Sequence, residues 1–266
     1  MIVASNLTVE LSNKRVLHGV SLEARAGELT AIVGPNGSGK TTTLKAIAGE
    51  TAYDGTVRIN GDDIATLKPW QLALKRAVLP QATVISFPFT VREIVRMGLS
   101  IGRGAGTAQT DRIAQDALDA VDLSGFAGRF YQELSGGEQQ RVQMARVLCQ
   151  IWDPVRNGEP SFLLLDEPVS SLDIRHQLTI MRLARDFCLR GGGVIAVMHD
   201  LNLTAMFADR MILMKGGRVR AAGSPQEVMT DEIMEAVFGC AMRVNVTPQG
   251  TVPFILPHTA DHHTGN

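Results

Sequence analysis

Gly34-Pro35-Asn36-Gly37-Ser38-Gly39-Lys40-Thr41-Thr42 is the stretch that decides how this chain folds. Gly34, Gly39, Lys40 and Thr41 stand at the fixed positions of a phosphate-binding loop. Glycines let the backbone curl until successive N–H groups face one concavity, which suits phosphate oxygens. A helix starting there adds the positive end of its dipole. Lys40 is then placed to bridge the β- and γ-phosphates of a nucleotide, and the Thr41 hydroxyl to hold Mg2+. The flanks agree. Residues 29 to 33, Leu-Thr-Ala-Ile-Val, read as a short buried strand, and Thr42 to Ala48 as a helix closed by Gly49. Glycine-rich turns are common; a strand before and a helix after set this one apart.

Upstream, polar and apolar residues alternate through Leu7, Val9 and Leu11, then Val16, Leu17, Val20 and Leu22, with a turn at Asn13-Lys14. Downstream, Thr56 to Ile59 is a strand followed by a tight Asn60-Gly61 turn. A small antiparallel sheet beside a nucleotide-binding core is expected. Pro69 to Lys75 reads as a short helix leading to Gln81. From there the pattern becomes helical: Val91, Ile94, Val95 and Leu99 share one face, and Ile113, Ala117, Leu118 and Val121 another. Ile101 to Thr110 reads as a loop, and a helix follows Leu134.

Trp152 to Pro160 has the composition of a surface loop. Phe162 to Leu165 is a fully apolar strand that runs into Asp166-Glu167. Ile174 to Arg190 is a long helix, and Val194 to Met198 another buried strand, ending in His199-Asp200. Met211 to Val219 form a hairpin, and helices follow Ser224 and begin at Asp231. Strands alternating with helices imply an α/β fold, a mostly parallel sheet covered on both faces. The expected division is a nucleotide-binding core of residues 1–81 and 151–257, an inserted helical subdomain of residues 82–150, and a disordered polar tail of residues 258–266.

The net charge of −1, with both signs interspersed, argues against a nucleic-acid partner. No apolar run reaches the length of a membrane span, and Met1 to Asn6 does not read as a signal peptide. Three isolated cysteines, Cys149, Cys188 and Cys240, suit a reducing cytosol. Any work at a membrane therefore calls for a separate membrane partner.

Two further stretches carry chemistry. Phe162-Leu163-Leu164-Leu165-Asp166-Glu167 ends a buried strand in two acids, at the edge where open α/β sheets bind ligands. Asp166 is placed to join the Mg2+ shell, and Glu167 to accept a proton from an attacking water. Leu134-Ser135-Gly136-Gly137-Glu138-Gln139-Gln140-Arg141 is a second anion cradle: the Ser135 hydroxyl, the N–H groups of Gly136 and Gly137, and a helix start. Two phosphate-binding edges on one chain suggest that two chains sandwich the nucleotide.

Here the sequence resembles the ATP-binding cassette family, whose signature is Leu-Ser-Gly-Gly-Gln, with glutamate also found at the fifth position. The likeness covers nearly the whole chain. It implies a phosphate-loop ATPase fold in which Gln81 is the glutamine that senses Mg2+ and couples to the membrane partner. It also implies that Ser170-Ser171-Leu172-Asp173 is the D-loop, with Asp173 among the nucleotide-binding residues, and that His199 contacts the γ-phosphate. Many cassettes stack adenine on an aromatic about five residues before the position of Val16-Leu17; here that residue is Leu11, so Leu11, Lys14 or Arg15 is left to cover the base.

The runs His199 to Leu203, Ala208 to Arg210, Lys215 to Arg218 and Gly223 to Pro225 resemble importer ATPases for haem, iron-siderophores and cobalamin. The long loop from Gln150 to Pro160 is similar to that of the haem-importing members. The resemblance implies a peripheral subunit at the cytoplasmic face of the inner membrane, a head-to-tail dimer, a polytopic permease and a periplasmic binding protein. It implies no direct contact with the transported molecule. A soluble, non-transport cassette machine is the reading from another class, but those usually carry two cassettes or heptad insertions, and this chain has one cassette and no sustained heptads. A phosphate-transferring kinase leaves Ser135-Gly136-Gly137 unexplained.

Overall fold

Strands β1 (Ile2–Leu11) and β2 (Lys14–Ala24) open the chain as a hairpin, in the computed structural model that describes residues 1–99, 108–248, 250–251 and 253–259. Ser12 and Asn13 make its turn in the left-handed region, at φ 48° and 61°. β3 (Leu29–Val33) is buried throughout, as its unbroken apolar run requires of a central strand. α1 (Lys40–Ala48) starts two residues before the expected Thr42, because the turn at Gly39 already points the Lys40 backbone into the helix. Gly49 closes it in the left-handed conformation.

β4 (Asp54–Ile59) and β5 (Asp62–Asp63) flank the Asn60-Gly61 turn. α2 (Pro69–Lys75) leads into β6 (Arg76–Leu79). Helices α3 (Val91–Leu99), α4 (Ala108–Ala120) and α5 (Gly136–Gln150) then pack together. Residues 101–107 of the expected loop lie outside the described residues, and α4 already includes Ala108 to Thr110.

The expected surface loop at 152–160 contains a small hairpin, β7 (Val155–Arg156) and β8 (Glu159–Pro160), turned by Asn157-Gly158. Two-residue strands carry too little pattern to be seen in the sequence. β9 (Phe162–Asp166), α6 (Ile174–Leu189) and β10 (Gly193–Val197) follow as read. α7 (Leu201–Phe207) was not anticipated; its signal is the Asp200 cap, whose Oδ1 accepts from Leu203 N at 2.9 Å. β11 (Arg210–Lys215), β12 (Arg218–Gly223), α8 (Pro225–Val228) and α9 (Asp231–Phe238) complete the order. Of the expected tail, His258 and Thr259 belong to a short 3-10 turn begun by Pro257, and residues 260–266 lie outside the described residues.

The strands make one antiparallel sheet in the order β2-β1-β4-β5 and a second sheet in the order β12-β11-β3-β10-β9-β6. The second is parallel from β11 to β6, with β12 added antiparallel at one edge. Alternate residues divide its two faces. Leu163, Leu165, Val194 and Ala196 join the core that reaches the helices α3 to α6. Phe162, Leu164, Ile195 and Val197 join the core shared with α1 and the antiparallel sheet. Four neighbouring parallel strands, β3, β10, β9 and β6, thus end side by side. Their ends carry Gly34, His199, Asp166-Glu167 and Gln81 in turn, and open α/β sheets bind ligands at this edge.

α3 crosses α5 closely at Gly98, where a Cβ would lie 2.0 Å from the Arg146 carbonyl oxygen. Gly98→Ala is therefore expected to force the helices apart and cost about 1–3 kcal/mol. Chemical denaturation reads this as a lower midpoint, and an unchanged midpoint contradicts the packing.

Candidate nucleotide site

Backbone conformation builds the site before any side chain does. Gly34 has φ 154°, and a Cβ there would lie 2.2 Å from the Met214 carbonyl oxygen. Gly39 has φ 98°, and a Cβ would lie 2.7 Å from Leu17 Cδ2. No side chain fits at either place, so the loop can close tightly over the end of β3. Asn36, Gly37, Ser38, Gly39, Lys40, Thr41 and Thr42 then line a cavity of about 440 Å3. Val16, Gln81, Glu167 and His199 form its other walls.

Lys40 is buried, and its Nζ donates to the carbonyls of Gly34 at 2.9 Å and Pro35 at 3.2 Å. Burial pulls this ammonium below its ordinary range, while the charges of Glu167 and Asp166 pull it back up. The Ser38 hydroxyl is buried with no hydrogen-bond partner among the described residues. A cation resting on its own loop's carbonyls and an unpaired buried hydroxyl are groups that an anion would satisfy.

Thr41 Oγ1 donates to Asp166 Oδ1 at 2.9 Å. Burial raises the Asp166 carboxyl above the usual range; the Thr41 bond opposes this and the Glu167 charge adds to it. A hydroxyl and a carboxylate side by side are hard oxygen donors of the kind Mg2+ prefers, so the residues fit that ion. Among the described residues no cluster of three or more His, Cys, Asp or Glu offers a metal site of another kind.

Glu167 adopts φ 53°, a left-handed conformation costing a non-glycine residue about 1–2 kcal/mol. Its surroundings hold it there. Glu167 N donates to Val197 O at 3.2 Å, and its own carbonyl accepts from Ser170 Oγ at 3.2 Å and Gln140 Nε2 at 3.1 Å. The turn aims the carboxylate at His199, whose Nε2 lies 2.6 Å from Glu167 Oε1.

The second anion edge stands elsewhere. Ser135, Gly137 and Asp173 line a separate cavity of about 360 Å3 with Arg141, Ser171 and His176; none of its lining residues belongs to the first cavity. Gly136 lines a third, of about 180 Å3, together with Gln81. Ser135 caps α5, and its hydroxyl and N–H both donate to Glu138 Oε2, at 2.9 and 2.8 Å. Those two bonds hold the Glu138 carboxyl below its usual range. Asp173 caps α6 through His176 N at 2.9 Å.

Gly34, Pro35, Asn36, Gly37, Ser38, Gly39, Lys40, Thr41, Thr42, Gln81, Asp166, Glu167 and His199 are therefore brought together; Ser135, Gly137 and Asp173 stand apart, and Gly136 meets the set only at Gln81, in the third cavity. Leu11 sits at the hairpin tip opposite Lys14, 44% exposed, and outside the first cavity's lining. Val16, which the sequence reading did not single out, is in that lining. Its apolar place beside the loop was the available signal.

A family model described as ABC transporter matches residues 17–170. The chain is 70% identical over 261 residues to the hemin import ATP-binding protein HmuV of Rhizobium meliloti (strain 1021), covering 98% of this chain and 99% of that protein. It is 58% identical over 261 residues to the protein of the same name from Jannaschia sp. (strain CCS1), covering 98% and 95%. Among solved structures it resembles a dimeric bacterial ABC transporter cassette at 30% identity and a TM-score of 0.74, covering 85% of this chain and 99% of that one. It also resembles a bacterial Atm1-family ABC exporter with ATP bound at 26% identity and a TM-score of 0.75, covering 88% and 40%.

Lys40→Ala is expected to weaken ATP binding at least about tenfold, since the ammonium offsets phosphate charge before as well as during reaction. Titration with a fluorescent ATP analogue checks it; unchanged affinity contradicts the placement of the phosphates.

Proposed function

The chain belongs to the ABC transporter family as an ATP-hydrolysing subunit, and on that premise we propose that it powers a bacterial importer whose cargo is hemin. The observation that carries the cargo is the identity of 70% across 98% of the chain with a hemin import ATP-binding protein. The likeness extends through the segment that holds the β7–β8 hairpin.

The ATP phosphates displace the Gly34 and Pro35 carbonyls from Lys40 and take up the N–H groups of the loop and the Ser38 hydroxyl. Thr41, Asp166 and Gln81 would hold Mg2+, which when bound would supply charge neutralisation on those phosphates. Glu167 takes a proton from the water that attacks the γ-phosphorus, and the P–O bond to ADP breaks. His199 holds the Glu167 carboxylate through their 2.6 Å contact, and its place in the lining of the same cavity supports its role at the γ-phosphate.

The active unit in this reading is a head-to-tail pair. Ser135, Gly136 and Gly137 of one copy close over a nucleotide held by Lys40 and Thr41 of the other, and Asp173 lies at the seam. Burial of the phosphates between two chains excludes water and strengthens each contact. Its support is the separation of the two cavities, together with a dimeric cassette among the structural relatives.

The second partner is a polytopic permease. Among the described residues no helix is long and apolar enough to cross a membrane, so the span is assigned to that partner. Val84 and Phe87, 90% and 71% exposed, follow Gln81 closely and give the permease an apolar face linked to the nucleotide. A periplasmic binding protein delivers the cargo, this chain sits on the cytoplasmic face, and it does not touch hemin.

The test is ATP turnover in vesicles holding this chain and the permease with which it co-purifies. Binding protein loaded with hemin is expected to stimulate turnover, and binding proteins loaded with a ferric siderophore or cobalamin are not. Stimulation by one of those instead overturns the cargo; failure to co-purify with any membrane protein favours a soluble machine.

A further inference from the structure

Gln140 lies in the second turn of α5, on the helix that Ser135 caps. Its Nε2 donates to the Glu167 carbonyl at 3.1 Å, across a separation of 27 residues. The same carbonyl accepts from Ser170 Oγ at 3.2 Å, and on the other side of the residue Glu167 N reaches Val197 O at 3.2 Å. A left-handed Glu167, at φ 53°, persists only where its neighbours over-determine it. Two of those neighbours, Ser170 and Val197, belong to elements adjoining the site. Gln140 comes from the helix that carries the other phosphate edge.

The amide is not there for its own satisfaction. Gln140 Oε1 is buried and has no hydrogen-bond partner among the described residues. The residue lines the 180 Å3 cavity shared with Gln81, Thr83, Gln139 and Ser171. A buried acceptor left unpaired costs stability, so the donor half of the side chain carries whatever benefit keeps an amide at this place.

We propose that Gln140 is a positioning residue for hydrolysis: it fixes the Glu167 backbone so that the carboxylate meets the attacking water. Because Ser135 and Gln140 share the first two turns of one helix, any shift of the Ser135–Gly137 edge moves the Nε2 donor too. In the head-to-tail pair, that edge closes on the nucleotide of the opposite site. Closure over one nucleotide thereby sets the base that acts on the other. The inference rests on the assignment of Glu167 as the base.

The experiment is a double-mutant cycle on the full-length chain with its permease. Gln140→Met keeps the side chain's length and removes the donor. Turnover is expected to fall about tenfold with ATP affinity unchanged, the size of one lost hydrogen bond acting on the transition state alone. In a Glu167→Gln background, Gln140→Met is expected to change the residual turnover by less than about twofold, because the group it positions is already lost. Gln140→Glu, which replaces the donor by an acceptor without emptying the site, is expected to behave as Gln140→Met and takes its place if that variant does not fold. Wild-type turnover in Gln140→Met, or equal fold-losses in both backgrounds, overturns the inference. Glu167→Gln with near wild-type turnover overturns instead the assignment of the base.

Discussion

The hydrogen bond from Thr41 Oγ1 to Asp166 Oδ1, 2.9 Å long, ties the first turn of α1 to the end of β9 across the intervening strand β10. It forms because two strands buried on both faces end at the same level. β3 and β9 owe that level to the register of β10, which pairs Val197 with Ile32 on one side and Asp166 on the other. Buried strands have little freedom to slip, since a shift of one residue would reverse which side chains face each core. The apolar runs of the sequence therefore fix the distance between a hydroxyl and a carboxylate that chemistry needs side by side. Burial raises the Asp166 carboxyl, a cost that the Thr41 bond and the neighbouring lysines reduce.

Much of this was legible in the sequence because it rests on local rules. The glycines at 34 and 39 are demanded by backbone positions where a Cβ would collide with Met214 and Leu17. The run Phe162 to Leu165 could only be a central strand, and it delivered Asp166 and Glu167 to its carboxyl end. His199 and Gln81 were assigned by family likeness, and the strand order explains why both reach the same cavity. What stayed hidden depends on partners far along the chain. Nothing in the Asp166-Glu167-Pro168 stretch announces a left-handed glutamate, since Gln140 and Val197 hold it from other elements. The β7–β8 hairpin and α7 were too short for periodicity to show. Ser135 was read as offering its hydroxyl to an anion, whereas in this structure that hydroxyl donates to Glu138.

That last difference has physical content. The capping box of Ser135 and Glu138 satisfies the first turn of α5 within one chain. Phosphate reaching this edge must compete with, or share, the Glu138 interaction. The Lys40 ammonium makes the same kind of provisional contact with the carbonyls of its own loop. Both edges are thus folded and internally paired, each with groups that can be redirected to a shared ligand. α5 joins the second edge to the back of Glu167, so the two edges are mechanically connected within the chain.

The central claim is that one active site is built from two chains. A mixture of Lys40→Ala and Ser135→Arg chains, each inactive alone, tests it most directly. A mixed head-to-tail pair holds one doubly damaged site and one site with both edges intact. The account predicts that ATP turnover reappears on mixing, in proportion to the fraction of mixed pairs, and falls away on dilution to monomer. Turnover that does not recover at any ratio, while the wild-type chain keeps a constant rate per chain down to monomer concentrations, would contradict it.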